Sequence, residues 1–266
     1  MKQLMVKYIS YYIERIKYPM MEALEYRADI ISLTFTSYAY MLIQLIFITV
    51  VVNQFGSIGD WGLDDMIILF ASGQFILLAT ISIFINVWDN TETDIEKGNL
   101  DFYLLKPINV LFNYSTRGFV LFQNLPSLMF PVILLYFARD SIIFSPAIFI
   151  LYLVSIFMSM TIFYSIIVIL GSLSFWITDS RYFKLILFGL WKSAALYPAD
   201  IYPNWALPIF LIIIPIGLLA YAPSYFLVFG FNWQLYAVQV FVTIIFSFGA
   251  VFIWNKGIKK YSSASS

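Results

Sequence analysis

The strongest constraint on this chain is a succession of long apolar runs separated by short polar stretches. Residues 29–53 open at Asp29, close at Asn53 and are filled with Ile, Leu, Phe and Val, and similar runs occupy 66–88, 119–137, 146–177 and 233–254. About 20 apolar residues rising 1.5 Å each match the ~30 Å hydrocarbon core of a bilayer, so each run reads as a membrane-spanning helix. The run at 146–177 exceeds that thickness, so it is expected to tilt or protrude. Composition agrees: the chain is 62% hydrophobic and only 11% charged, against about 25% charged for a soluble domain. The expectation is an all-α integral membrane protein of a cytoplasmic (inner or plasma) membrane, with residues 1–266 as a single transmembrane domain. Six such helices and their short loops would fill the 266 residues, so no second soluble domain is expected.

Absences narrow the chemistry. The chain has no His and no Cys, which removes imidazole bases, thiolate nucleophiles and the usual zinc, copper and haem ligands. No G-x-x-x-x-G-K-[ST] phosphate loop occurs, so ATP would have to be handled by another polypeptide. Fifteen basic residues balance fifteen acidic ones, which gives no reason to expect a nucleic-acid partner. No catalytic residue, metal ligand or bound cofactor is assigned, and the chain is expected not to be an enzyme.

The placement of the basic residues sets the topology, because short cytoplasmic loops collect Lys and Arg. Five precede the first run; Lys97, Lys106 and Arg117 follow the second, Arg181 and Lys184 the fourth, and Lys256, Lys259 and Lys260 close the chain. Six crossings put all of these on one side, with both termini cytoplasmic. The other side keeps only Arg139 among basic residues, and Lys192 falls within a span. This requires residues 183–198 to cross as the fifth span and residues 206–221 to form a re-entrant hairpin before span six, bent near Pro208 and Pro215. Ahead of the first span, Met5, Ile9, Tyr12, Ile13 and Ile16 share one helical face, as in a helix lying in the membrane interface.

The largest inner loop carries the most specific pattern. From Asp94 to Pro107 it reads as helix, break, helix: Gly98 ends one helix, Asn99 caps the next and Pro107 stops it. Leu100, Tyr103 and Leu104 would share one face, flanked by Asp101 and Lys106. A short amphipathic helix held between spans two and three suits docking into a groove of a soluble partner.

Glu96-x-Gly98-x-Leu100-Asp101-x-x-Leu104-Leu105-x-Pro107 resembles the coupling-helix signature of permeases of the second class of ATP-binding-cassette (ABC) exporters, E-x-G-T-L-[ED]-x-L-L-x-x-P. The pair Phe102-Tyr103 departs from it, since many members have one residue before the double Leu. Leu24-Glu25-Tyr26-Arg27 is similar to the entry of the family's connecting helix, in particular in a branch of small paired permeases. Tyr197-Pro198, Tyr202-Pro203, Ile214-Pro215 and Ala222-Pro223 resemble its proline-rich block between helices five and six. The resemblance implies an ABC-2 type permease that forms a homodimer or pairs with a sister permease. It also implies partner ATPase subunits, which would bind ATP and Mg²⁺, and export of an apolar or amphipathic substrate. Glu96, Gly98, Leu100, Asp101, Tyr103, Leu104, Leu105 and Pro107 would carry the coupling.

Polar groups inside the spans are the candidates for a substrate path, above all Gln44, Gln123 and Lys192. An intramembrane ionisable group is a functional candidate, although the Lys192 stem could equally snorkel and glutamines commonly bond helices together. A stand-alone secondary transporter or channel is the alternative. It would call for matched broken helices and mid-membrane acids, neither of which is evident.

Overall fold

A computed structural model describes residues 25–261 except 119, 178, 179 and 195, together with 17, 20 and 21. The expected interfacial helix at residues 5–16 lies outside them. Among the described residues four helices are long and apolar enough to cross a membrane: α1 (Arg27–Phe55), α2 (Leu63–Asp89, whose apolar stretch ends at Phe84), α7 (Pro146–Ser172, continued by the 3-10 turn Leu173–Phe175) and α10 (Trp233–Lys260). Between α2 and α7 come three short helices, α3 (Thr91–Glu96), α4 (Asp101–Leu104) and α5 (Val110–Ser115), and then α6 (Leu121–Phe137). Helices α8 (Arg181–Ala194) and α9 (Ile216–Phe229) lie between α7 and α10. The described residues form no strand beyond one isolated bridge, Ile58 to Trp61. The chain is an all-α, multi-pass membrane protein.

Local chemistry sets the helix ends. Gly56, at φ +82°, closes α1 by donating its N–H to the Val52 carbonyl at 2.7 Å, the left-handed stop that a residue with a Cβ resists. Asp65 accepts from the Gly62 N–H at 2.9 Å, and with Asp64 it places negative charge on the first turn of α2. Pro146 occupies the first turn of α7, where a missing N–H costs nothing. The Asn232 side chain caps α10 by accepting from the Gln234 and Leu235 N–H groups, and Lys259 and Lys260 sit at its negative end.

Helix α9 is the centre of the protein. Eleven of its fourteen residues are buried, and it packs against α2, α7 and α8, as a helix apolar all round must. Ser224 reaches from it to the Ile68 carbonyl of α2 at 3.4 Å. Helix α1 is the opposite case, with only Met41, Ile48 and Val52 buried. Between α7 and α10, Gln239 accepts from Ser155 at 2.8 Å and donates to the Ser155 carbonyl and to Ser159. All three are fully buried, so the small serines admit the amide and satisfy it.

Several expected boundaries move. The first span runs 27–55 and the second 63–89, broken at Phe84 by non-helical angles (φ −119°, ψ 26°). The third helix begins at Leu121, because the Val120 N–H bonds the Ser82 carbonyl instead of continuing a helix. The fourth stops at Ser172 rather than 177, and the last continues six residues past Trp254 to Lys260. The segment expected to cross as a fifth span holds the helix Arg181–Ala194, about 21 Å long at 1.5 Å per residue. The proline-rich segment is bent at Pro215, but with different limbs from those expected. Residues Ile209–Ile213 form a π-helical turn before the bend, and the limb after it extends to Phe229 instead of ending at 221. Phe210 lies so close to Gly217 that an added Cβ would stand 3.2 Å from its carbonyl oxygen.

Candidate functional site

The inner loop is built on the extension of α2 beyond its kink. Asn86 donates to the Tyr114 carbonyl at 2.9 Å and accepts from Asn90 at 3.0 Å. Thr91 packs on Gly171 of α7, where an added Cβ would meet its hydroxyl at 3.2 Å. Gly98 has φ +73°, the left-handed break expected of it, and the Leu100 N–H turns back to the Asp94 carbonyl at 3.2 Å. Helix α4 then makes a single turn, ended ahead of Pro107.

Asp94 is the hub. Its carboxylate accepts from the Asn99 amide at 3.0 Å and from the Tyr114 hydroxyl at 3.0 Å, with Arg117 4.0 Å away. Arg117 also donates to the Tyr103 hydroxyl and lies over its ring, 5.4 Å from the centroid. Burial, and then the negative charge of Asp94, push the Tyr114 hydroxyl well above its ordinary range, so it stays a neutral donor. Tyr103 stacks edge-on to Tyr114, Tyr114 on Trp254, and Trp254 edge-on to Phe175, with centroids 4.9, 5.6 and 5.6 Å apart. This aromatic column ties the loop to the end of α10. The same end meets Asp101, whose charge, after burial, raises the Tyr261 hydroxyl. Gly257 leaves room for the Phe175 ring, which would collide with any Cβ there.

Two expectations about this loop are corrected. Asn99 does not cap α4; its amide is spent on Asp94, and Leu100 takes the position before the helix. The face of Leu100, Tyr103 and Leu104 is not free for docking. Leu100 and Tyr103 are 1% and 4% exposed, in the protein's own core, because the Asp94 and Arg117 contacts turn that side inward. Outward point Phe102 at 68%, Leu105 at 82% and, partly, Leu104 at 38%. Glu96, Lys106 and Pro107 are exposed beside them, and Asp101 is half-buried. Asn99, Phe102, Tyr103, Lys106 and Arg117 line a cavity of about 420 Å³.

The intramembrane candidates are scattered. Gln44 donates to the Tyr40 hydroxyl at 2.8 Å and accepts from Gln74 at 3.2 Å, joining α1 to α2. Gln123 is half-buried in α6, and Lys192 lies on α8 with its side chain outside the described set. Among the described residues no group of three potential metal ligands occurs.

At the opposite end of α2 a second carboxylate gathers distant parts of the chain. Asp200 accepts from the Trp61 indole at 2.9 Å and from the Tyr221 hydroxyl at 2.6 Å. The Trp61 ring, fully buried, lies 5.7 Å from Tyr221 and 5.2 Å from Phe229. Sequence reading missed both hubs. Asp94 stood inside the quoted loop, but Arg117 counted there only as an inner-side charge, and nothing local marks Trp61 as the partner of a residue 139 positions away.

A family model described as "ABC-2 family transporter protein" matches residues 38–265, which include the inner loop, the bent proline-rich segment and α10. The chain belongs to the ABC-2 transporter family. Comparison with curated protein sequences gives no match. As an ABC-2 family member with several membrane-crossing helices, the protein is a permease subunit of an ABC transporter, the membrane component that associates with ABC ATPase subunits.

Proposed function

We propose that this permease is the membrane half of an exporter for an apolar or amphipathic substrate, driven through the inner loop by separate ATPase subunits that bind ATP and Mg²⁺. One observation carries the coupling assignment. Phe102, Leu104 and Leu105 project outward from a loop whose inner side, Leu100, Tyr103 and Asp94, is buried and held to Tyr114, which bonds Asn86 of α2 and packs on Trp254 of α10, while Thr91 of the adjoining α3 packs on Gly171 of α7. A partner gripping that tip would pull on three long helices at once. Burying Phe102 and Leu105 on it is worth roughly 3–6 kcal/mol, comparable with the ~5.5 kcal/mol that reverses a two-state population from 1:99 to 99:1. Glu96, Gly98, Asp101 and Pro107 shape the loop, and Leu100 and Tyr103 anchor it.

Six crossings with both termini cytoplasmic are part of this reading. Helix α8 would span with help from the turns that follow it, thinning the bilayer or pairing with a second permease. The exposed Ile31, Phe35, Ile43 and Ile46 of α1 offer a further apolar face for lipid or for a second copy or sister of the branch of small paired permeases. Gln44, Gln123 and Lys192 remain the first positions to test for substrate contact.

The experiment is co-purification of the chain with its ATPase from native membrane. Phe102→Asp with Leu105→Asp should abolish association while leaving the helices inserted. Unchanged association would remove the coupling role from this tip. Labelling of single cysteines, in a chain that has none natively, should place positions 97 and 260 on one side and 60 on the other; 97 and 260 on opposite faces would overturn the six-span count.

A further inference from the structure

Where α6 ends and α7 begins, a cavity of about 450 Å³ opens that the coupling reading does not use. That is the size range of ordinary small-ligand sites. Leu135, Ile142, Phe144, Phe149 and Leu227 line it, and only Ser145 and Tyr152 bring polar side chains. The Tyr152 hydroxyl is already paired with Ser72 at 3.1 Å, so its only deep polar group makes no demand on an occupant. The cavity is held open by backbone contacts: the Ile143 N–H donates to the Leu227 carbonyl at the end of α9, 2.9 Å away. Phe144 and Phe149, 80% and 57% exposed, leave its rim open and apolar, so an apolar occupant would enter it from the bilayer.

A second observation lies one turn away. The Arg139 carbonyl accepts the N–H of the lining residue Ile142 at 3.0 Å, which holds the Arg139 backbone one turn from the cavity. Its guanidinium lies 4.9 Å from the Tyr136 ring centroid, and the nearest carboxylate, Asp140, is 3.8 Å away and almost wholly turned to solvent. On the charge count, Arg139 is the one basic residue of its side of the membrane, where an excess of Lys and Arg is not expected. An apolar slot with a cation carried one turn from its lining matches an amphiphile with an alkyl tail and an acidic head.

We propose that this cavity binds one acyl chain of an anionic phospholipid, with the head group at Arg139. The assignment rests on the six-span reading for the leaflet, which that reading makes the outer one, and for Arg139 standing alone among basic residues there. The full complex would be placed in nanodiscs of phosphatidylcholine and phosphatidylglycerol with a trace of phosphatidylglycerol bearing a diazirine at one acyl end, irradiated and mapped by peptide mass spectrometry. Labelling should concentrate on residues 135–149 and Leu227, about tenfold over the exposed reference positions Ile244 and Phe248. Leu227→Trp, which fills the cavity, should reduce it to that background. Arg139→Gln, a surface change that leaves the packing alone, should lower phosphatidylglycerol labelling about threefold and leave that of a phosphatidylcholine analogue unchanged. Label spread evenly over lipid-facing positions, or unmoved by both variants, would overturn the site. Label lost on ATP turnover would replace the resident lipid with transported cargo. A cysteine at position 140 reached only from the side of position 97 would overturn the leaflet and leave the binding site standing.

Discussion

The two ends of α2 solve one problem with the same parts and opposite results. At each end a carboxylate accepts from a tyrosine hydroxyl and a nitrogen donor to fix a chain reversal: Asp94 with Tyr114 and Asn99, Asp200 with Tyr221 and Trp61. Asp94 is buried and its reversal carries an exposed apolar tip beyond the anchor, whereas Asp200 is exposed and its reversal folds back into the core as α9. A buried hub with a projecting tip can transmit force to a partner, while a solvent-accessible hub over a buried helix closes a surface. The difference lies in what each hub holds in place and in whether water can replace it.

The sharpest test separates anchor from tip within the inner loop. Leu100→Ala removes a fully buried side chain and should destabilise the protein by about 3–4 kcal/mol. Leu105→Ala should change stability by less than about 0.5 kcal/mol while weakening ATPase association. Thermal unfolding in detergent, with pull-down in parallel, reads both. Equal melting temperatures would mean that Leu100 is not the anchor.

A smaller effect compares the hubs themselves. Asp94→Ala leaves the buried Tyr114 hydroxyl without its acceptor, and the expected cost is about 2–3 kcal/mol. Asp200→Ala should cost roughly 1 kcal/mol, because water reaches that position and can accept from Tyr221 and Trp61. Equal losses in the same unfolding measurement would erase the distinction between a buried and a wet hub.

How much of this was legible beforehand follows from the range of each signal. Membrane spans are local sums of hydropathy, so α1, α2, α7 and α10 stand out within a few residues. The left-handed Gly98 was legible too, since a glycine between two helical segments needs no tertiary information. The facing of α4 was not. Leu100, Tyr103 and Leu104 have the right spacing for one outward face, but Asn99, Tyr114 and Arg117 act on Asp94 and Tyr103 from as far as Arg117 is from Asp94 in the chain and rotate that face inward. Short helices such as α4 have no propensity strong enough to resist such contacts. Likewise α9 looked too short and too proline-broken to extend to Phe229, yet burial on all sides satisfies a helix that Pro223 would weaken in water.

The finest comparison removes one hydroxyl at each hub. Tyr114→Phe leaves the Asp94 oxygen buried with Arg117 only at 4.0 Å, too far for a hydrogen bond, and the expected loss is about 1–2 kcal/mol. Tyr221→Phe keeps the Trp61 bond and exposes the freed Asp200 oxygen to water, for an expected loss near 0.5 kcal/mol. The two variants have the same volume, so packing contributes little to the difference. Equilibrium unfolding of both in one detergent would then read the burial of the carboxylate. A larger loss at Tyr221 would show that the Asp200 end, and not the coupling loop, is the tighter of the two closures.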